Sequence, residues 1–195
     1  MTVHAFNRGD PRLWSVDQFQ AFLESRPDHE HWQLVDGLAM MMTPPTRWHQ
    51  KIAKNLLWLL DRALEANRPD LECYMELGAR IPEIDDFSPE PDLLVISRDD
   101  EFERHAPRFF LVCEIISPSN SAEMIERKLA LYRGHPDNLY CLTVDQDSVH
   151  VTLFARDGEA WSKTDLFSLE NRLALPAFRF ETTLAAIYKG TPLAG

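Results

Sequence analysis

The chain has 195 residues, a net charge of -11 and an isoelectric point near 5.0. Its hydrophobic share of 45% and charged share of 26% are ordinary for a globular protein, and its length suits one well-filled domain. Such an acidic chain is poorly suited to binding nucleic acid over a wide surface, because Lys and Arg supply most contacts to phosphate groups. A small nuclease site is not excluded, since bound divalent cations can invert the local charge.

The apolar runs and the cysteines exclude other classes of protein. No run is long enough for a membrane span, and the N-terminal residues lack the basic head and apolar segment of an export signal. We therefore expect no membrane partner and a cytoplasmic location. Cys73, Cys113 and Cys141 are widely spaced in apolar runs, so they match neither a disulfide framework nor a zinc site. They are predicted to be core residues in a reducing compartment.

The N-terminal part predicts a helix followed by a β-hairpin. Ser15 and Gln18 have the spacing of a capping box for a helix over 15–25, which Pro27 would end. The apolar runs HWQLV and LAMMM are joined by Asp36-Gly37, a dipeptide typical of a type I′ turn. No repeat or Gly/Ser linker follows. The sequence thus predicts a single domain over 1–195, with a core of about 12–185.

The clearest predicted element is a helix over 46–66. Apolar residues recur there at helical spacing and define one stripe. Projected backward, that stripe passes through His49 and places it on the inward side of the first turn. An ordinary core or capping role for His49 remains an alternative. The members of the stripe are Ile52, Ala53, Leu56, Leu59, Leu60 and Ala63.

The rest of the chain alternates strand-like and helical patterns. Apolar runs that would lie around two helices predict an α/β (α+β) architecture, with a central mixed sheet and helices packed against it. A short polar turn between the last two runs predicts a hairpin. The predicted segments are strands at 71–82, 91–97 and 109–116, a helix at about 120–133, and strands at 138–145 and 148–156.

Glu114 interrupts the apolar run FFLVCEII, whose alternating positions are apolar on both faces. An unpaired carboxylate in such surroundings costs several kcal/mol or takes up a proton, so Glu114 needs a cation, a metal or hydrogen-bond donors. The alternative is a carboxylate at the end of the strand that a neighbouring Arg neutralises. Glu114 is therefore a candidate site residue.

Lys128 is the second violation of the apolar pattern. The helical projection of residues 120–133 places it near the centre of an apolar cluster formed by Met124, Ile125, Leu129, Leu131 and Tyr132. Helical side chains lean toward the N-terminus, so its ammonium would reach back toward the strand that carries Glu114. The alternative is a structural buried salt bridge between the two, which is costly to desolvate.

Asp92 adds a second carboxylate to this pair. It follows Pro91 at the start of PDLLVIS, which is expected to pair with FFLVCEII as its neighbour in the sequence. Divalent cations such as Mg²⁺ prefer carboxylate oxygens, and a nearby Lys can stabilise the charge that develops on a phosphate. Two carboxylates and one Lys in one place suit metal-assisted hydrolysis of phosphodiester bonds. An ordinary strand-entry role for Asp92 is the alternative.

The order of these motifs resembles the PD-(D/E)XK nuclease superfamily and, more narrowly, the Uma-two family of restriction-endonuclease-like proteins. The resemblance covers roughly residues 12–185. The segments that carry it are WQLVDG (32–37), PPTRWHQ (44–50), EPDLLVIS (90–97), VCEIISPSN (112–120) and KLALY (128–132).

The resemblance implies a restriction-endonuclease-like fold and assigns roles to particular residues. Asp92, Glu114 and the backbone carbonyl of Ile115 would bind Mg²⁺ or Mn²⁺, and His49 would approach the site from the 46–66 helix. The superfamily's usual Lys, two positions after the Glu, is Ile116 here. In the resembling family this Lys lies on the following helix, which corresponds to Lys128.

The resemblance also implies a nucleic-acid substrate, DNA rather than RNA, and a homodimer. Two departures affect the hairpin. Gln33 and Leu38 stand where the family commonly has acidic residues, which questions any additional role of the hairpin in metal binding. A competing hypothesis is a binding or regulatory protein that keeps the fold but has little catalysis, because the chain is acidic. The sequence contains no motif for a Ser or Cys nucleophile and no Gly-rich loop for binding ATP or a dinucleotide.

Overall fold

A computed structural model describes residues 13–27, 29–102, 104–118 and 120–195. The predicted start of the core at residue 12 lies outside these ranges. None of the described helices is long and apolar enough to cross a membrane. The elements in chain order are α1 (Val16–Leu23), β1 (Trp32–Val35), β2 (Leu38–Met41), α2 (Arg47–Asn67), β3 (Leu71–Met75), β4 (Gly78–Ala79), β5 (Leu93–Ser97), β6 (His105–Ala106), β7 (Leu111–Ile116), α3 (Ala122–Gly134), β8 (Tyr140–Asp145), β9 (Val151–Asp157), β10 (Ala160–Leu166), β11 (Arg172–Leu175), a 3₁₀ turn (Pro176–Phe178), β12 (Phe180–Thr183) and α4 (Leu184–Ile187).

The N-terminal helix and hairpin are as predicted. The Ser15 side chain and the Gln18 side chain form a reciprocal capping box at the start of α1, which ends at Leu23, before Pro27. Strands β1 and β2 pair antiparallel through Asp36 and Gly37. Both turn residues have positive φ, 50° and 72°, as a type I′ turn requires.

The long helix α2 begins at the N-cap Thr46, whose hydroxyl accepts a hydrogen bond from the His49 backbone N–H at 3.2 Å. This cap sets His49 in the first turn, above the buried stripe. The stripe is confirmed with one adjustment: Leu64 is fully buried, whereas Leu59 and Ala63 are only partly buried. The fully buried members are Ile52, Ala53, Leu56, Leu60 and Leu64.

The centre of the fold is a six-stranded mixed sheet in the order β10-β9-β8-β7-β5-β3. Strand β7 pairs antiparallel with β5 and parallel with β8, while β8 and β9 form the expected antiparallel hairpin. The predicted mixed sheet is therefore confirmed.

Two apolar layers cover the two faces of this sheet, because successive residues of β5 and β7 point to opposite sides. Leu111, Cys113 and Ile115 pack on the α2 side. Val112 packs on the other side with Ile125 and Leu129 of α3. The two-sided burial expected of β7 and the two flanking helices are thus confirmed. All three cysteines are free and buried, as predicted.

The strand predicted over 71–82 is wrong as a continuous element. Glu76 adopts a left-handed backbone with φ 52°, which ends the pairing of β3 with β5. The chain then forms β4, which pairs in parallel with β6 outside the main sheet. Gly78 permits this change of partner, because a Cβ at this position would collide with the ring of His105.

The C-terminal elements were not predicted from the sequence. Strand β10 is an edge strand whose residues are mostly exposed on both sides, so it has no apolar alternation. Strands β11 and β12 form a separate antiparallel pair. The inward residues of this pair and of α4 join the α2 side of the core; they are Leu173, Leu175, Phe180, Leu184 and Ile187.

Candidate active site

Asp92 and Glu114 lie side by side at one end of the central sheet. The register pairs Leu93 of β5 with Cys113 of β7, so one further step places Asp92 opposite Glu114. Residues directly opposite each other in an antiparallel pair point to the same face of the sheet. The charge of Asp92 correspondingly acts on Glu114 and raises its pKa. The two carboxylates predicted to converge do so.

Glu114 is buried and is held by two residues of α3. The ammonium of Lys128 lies 2.5 Å from Glu114 Oε1, and the hydroxyl of Tyr132 donates a hydrogen bond to the same oxygen at 2.7 Å. Lys128 is only 3% exposed, so the helical projection that placed it on the buried face is confirmed. Glu114 is neutralised by this Lys and not by a neighbouring Arg, which removes one of the two sequence-based alternatives.

Burial is the largest influence on the pKa of Glu114. Desolvation raises the pKa of Glu114, against the lowering effects of the Lys128 charge and of the hydrogen bonds from Lys128 and Tyr132. The pKa of the Tyr132 hydroxyl is also raised, first by burial and then by the negative charge of Glu114. Tyr132 therefore stays a hydrogen-bond donor. Sequence reasoning quoted Tyr132 within KLALY but gave it no role.

Both oxygens of the Asp92 carboxylate also have protein partners. The backbone N–H of Ile115 donates to Oδ2 at 2.6 Å, and Nε2 of His49 lies 2.8 Å from Oδ1. The first contact ties the start of β5 to the end of β7, and the second ties it to α2. His49 thus approaches the carboxylates as expected. Ile115 contacts Asp92 through its N–H, and metal binding by its carbonyl stays a prediction.

The His49 pKa is raised by its acidic surroundings. Burial alone would lower it, but the hydrogen bond and the charge of Asp92, followed by the charges of Glu76 and Glu114, outweigh that effect. Asp92 thus stabilises the protonated form of the His49 imidazole.

Two further carboxylates belong to these surroundings and were missed from the sequence. The backbone N–H of Glu76 donates to the Asp92 carbonyl, so Glu76 ends β3 beside the start of β5. Its left-handed backbone at an acidic site is a local strain of the kind that often accompanies function. Burial raises the pKa of Glu90, whose nearby charges include His31, Glu76 and Lys128. The EPD triplet was the available signal for Glu90, whereas Glu76 was hidden inside a strand predicted to be continuous.

The donor set fits a hard divalent cation. Four carboxylates, those of Glu76, Glu90, Asp92 and Glu114, lie in the same surroundings, and Lys128 contacts Glu114, so acidic side chains are in excess there. Among residues 13–27, 29–102, 104–118 and 120–195, no group of three or more His, Cys, Asp or Glu side chains is arranged to hold a metal ion. Mg²⁺ commonly needs only one or two protein carboxylates, because water and substrate phosphates complete its coordination.

Gln33 contributes a buried side-chain oxygen on the first strand of the hairpin. Its Oε1 is buried and has no hydrogen-bond donor within the described part of the chain. Gln33 occupies the same face of β1 as Val35, which packs in the apolar layer that contains α3. The departure noted in the sequence therefore leaves a neutral oxygen where a carboxylate was expected.

Comparison with known proteins identifies the family of the chain. The family model "Uma2: Putative restriction endonuclease" matches residues 16–186. The chain belongs to this family. The Uma2 match spans α1 through most of α4 and therefore includes every residue of the candidate site. No curated protein matches the chain.

A solved structure supports the fold of this Uma2 protein. The crystal structure of "a putative nuclease belonging to DUF820" from Anabaena variabilis ATCC 29413 is similar with a TM-score of 0.71 and 15% sequence identity. The match covers 89% of this chain and 97% of the Anabaena chain. At this identity the likeness shows a shared nuclease-like fold, and it confirms the predicted mixed α/β architecture.

Proposed function

We propose that the protein is a metal-dependent nuclease that hydrolyses phosphodiester bonds at the Asp92–Glu114 site. The observation that carries this proposal is the convergence of Asp92, Glu114 and Lys128 at one end of the sheet, in a chain of the Uma2 family. Three elements contribute these side chains: Asp92 directly precedes β5, Glu114 lies on β7 and Lys128 lies on α3.

The carboxylates of Asp92 and Glu114 would hold Mg²⁺ or Mn²⁺, with the Ile115 carbonyl as a further ligand. Such a cation, when bound, offsets the charge of a phosphate and lowers the pKa of bound water. The acidic excess around Asp92 supports this assignment, since a dication would relieve the repulsion between neighbouring carboxylates.

The chain's own residues orient and neutralise the reacting groups. Tyr132 and Lys128 hold Glu114 Oε1 in one position, and the Ile115 N–H holds Asp92 Oδ2. Lys128 is the charge suited to stabilise negative charge that develops on a phosphate oxygen. His49 orients Asp92 through Oδ1, and its raised pKa favours the protonated imidazole beside that carboxylate.

The finer expectations follow from the same proposal. We expect DNA to be preferred over RNA, and a homodimer to form, by analogy with nucleases that cut two strands. The three free, buried cysteines support a reducing cytoplasmic location.

The decisive experiment measures divalent-cation-dependent cleavage by Asp92→Asn and Glu114→Gln. Each variant should reduce cleavage by at least about 100-fold, since each removes one carboxylate charge from the site. Asp70→Asn is the matched control, because Asp70 is an exposed carboxylate paired with Arg68 outside the site. Plasmid, linear duplex, single-stranded DNA and RNA are incubated with Mg²⁺, Mn²⁺ or EDTA.

Cleavage that persists in folded Asp92→Asn and Glu114→Gln proteins would contradict the proposal. So would a wild-type protein that is not stabilised by either cation and cuts none of the four substrates.

The second candidate function is a binding or regulatory protein with little catalysis. The observation that favours it is that both Asp92 oxygens and one Glu114 oxygen already have protein partners, within acidic surroundings. It predicts that Glu114→Gln leaves the cellular phenotype unchanged, whereas the nuclease proposal predicts its loss.

A further inference from the structure

A depression of about 490 Å³ lies beside the C-terminal part of α1 and the short β4–β6 sheet. None of its lining residues belongs to the candidate active site. Its volume is within the usual range for small-ligand sites, although its lining is unusually polar. The polar residues that line it are Gln20, Glu24, Arg26, Arg80, Arg104 and His105.

Three guanidinium groups line this depression in a chain whose net charge is -11. Arg26 is held by Glu30 through two hydrogen bonds of 2.8 and 2.9 Å, so its charge is largely satisfied. Arg80 and Arg104 form no ion pair with any acidic residue in the described ranges, and Glu24 is not paired with either. Two adjacent cations without carboxylate partners repel each other and favour an anion between them.

The charges of Arg80 and Arg104 both act on the His105 side chain. Burial, followed by the charges of these two Arg residues, lowers the pKa of His105 to about 4. Its ring packs directly against Gly78, where a Cβ would collide with it, and Nε2 of Gln20 lies 3.3 Å from its Nε2. The imidazole is consequently neutral, fixed in place and available for a hydrogen bond.

We propose that this depression is an anion site that binds a phosphate group through Arg80 and Arg104. A guanidinium presents two parallel N–H groups that match two phosphate oxygens, and two such groups can neutralise a phosphate dianion. His105 completes the site as a neutral hydrogen-bonding group at its wall. Glu24, which is exposed, limits the affinity through its negative charge.

The phosphate can come from a small phosphorylated molecule or from the 5′ end of a nucleic-acid strand. The two sources share the recognised group and differ in what extends beyond it. Binding at this site needs no divalent cation, since no carboxylate cluster is involved. The phosphate-site proposal can therefore be tested independently of nuclease activity at Asp92 and Glu114.

The test follows the His105 ring signals by NMR in the full chain, with EDTA present. The probes are inorganic phosphate, adenosine 5′-monophosphate, adenosine, and one oligonucleotide with either a 5′-phosphate or a 5′-hydroxyl. Phosphate-bearing probes should shift the His105 signals saturably, and adenosine should not. Similar affinities for inorganic phosphate and the mononucleotide identify a small-molecule ligand, whereas selective binding of the 5′-phosphorylated strand identifies strand ends.

The variants isolate the two Arg residues. Arg80→Gln/Arg104→Gln should weaken phosphate binding at least about tenfold, because both charge-assisted contacts are lost. Arg62→Gln/Arg98→Gln removes the same charge from exposed residues elsewhere and should bind like the wild type. Arg104→Gln alone, at an exposed position, should weaken binding without affecting folding.

Several results would overturn the proposal. These are the absence of any saturable shift with all phosphate-bearing probes, equal affinity for adenosine, or wild-type affinity in Arg80→Gln/Arg104→Gln. Phosphate binding that is unchanged in Glu114→Gln, together with a failed cleavage assay, would support this site and reject only the nuclease proposal.

Discussion

The two acid–base pairs of the candidate site differ in how far they are removed from water. The side chains of Lys128 and Glu114 are 4% and 7% exposed, whereas those of His49 and Asp92 are 14% and 13% exposed. The first pair joins a helix to the middle of the sheet and has no easy route to solvent. The second pair lies where β5 begins, so its members can exchange protons with water more readily.

The difference teaches which pair sets stability and which can respond to pH. A deeply buried carboxylate whose cation is removed cannot be rescued by solvent, so removing Lys128 should lower the free energy of unfolding more than removing His49. The His49–Asp92 pair can respond to pH, because Asp92 raises the His49 pKa against the lowering effect of burial. Three substitutions can break or sharpen this contrast.

The largest effect is expected from Lys128→Met, which leaves Glu114 buried without its cation. The free energy of unfolding at neutral pH should fall by about 3–5 kcal/mol. Urea denaturation measures this loss. Arg127→Met is the control, because the Arg127–Asp36 pair is 47% and 44% exposed and should contribute less than about 1 kcal/mol.

The pH dependence of the stability lost in Lys128→Met tests whether the charge of Glu114 causes that loss. The pKa of Glu114 is raised above its ordinary value of 4.5, and removing Lys128 should raise it further. A raised carboxyl pKa carries no stability cost below 4.5, and the cost grows as pH rises toward the folded-state pKa. The loss caused by Lys128→Met should therefore shrink in acid and in the double variant Lys128→Met/Glu114→Gln. A loss that is independent of pH and persists in the double variant would contradict a charge-based origin.

A smaller effect is expected from Tyr132→Phe, which removes one hydrogen bond to Glu114 but keeps Lys128. We expect a loss of about 1–2 kcal/mol, typical of a hydrogen bond to a charged group. Because this bond lowers the Glu114 pKa, that pKa should rise in the variant, as carboxyl ¹³C NMR can measure.

Tyr188→Phe is the matched control for this substitution. The Tyr188 hydroxyl donates to backbone carbonyls of Asp145 and His150 and does not contact Glu114. Its removal should lower stability without changing the Glu114 pKa. An unchanged Glu114 pKa in Tyr132→Phe would show that Tyr132 only packs beside the site.

The smallest effect is expected from His49→Gln, and it should depend on pH. The His49 pKa is raised above 6.5, so the stability from the His49–Asp92 pair is complete below pH 6.5 and is lost as pH rises through the folded-state pKa. His49→Gln should thus cost about 1 kcal/mol near pH 5.5 and less near pH 9. Urea denaturation at both values checks this, and an equal cost at both would exclude a charged pair.

Much of the fold was predictable because the relevant patterns are local. The stripe of α2, the Asp36-Gly37 turn and the two-sided burial of β7 each follow from neighbours a few residues apart. Strand β10 could not be predicted, because an exposed edge strand has no apolar face to mark it. The prediction of a continuous strand over 71–82 was wrong because Glu76 adopts a left-handed backbone and redirects the chain.

The candidate site was partly predictable because charge in an apolar pattern is conspicuous. Glu114 and Lys128 violate the periodicity of their own elements, and the structure brings them to 2.5 Å. Tyr132, Glu76 and Glu90 violate no pattern. An aromatic residue on a buried helical face and carboxylates near strand ends are ordinary, and only their contacts single them out.

By itself, the sequence determined the buried faces of α2, β7 and α3 and the charges that lie on them, since periodicity records the face of each element. Only the tertiary structure decided which charges meet. The antiparallel register of β5 and β7 sets Asp92 beside Glu114, and the packing of α2 brings His49 to 2.8 Å from Asp92. Asp92 and Glu114 are 22 positions apart in the chain, and His49 and Asp92 are 43 positions apart. No local pattern specifies such contacts, because they depend on how distant strands and helices align.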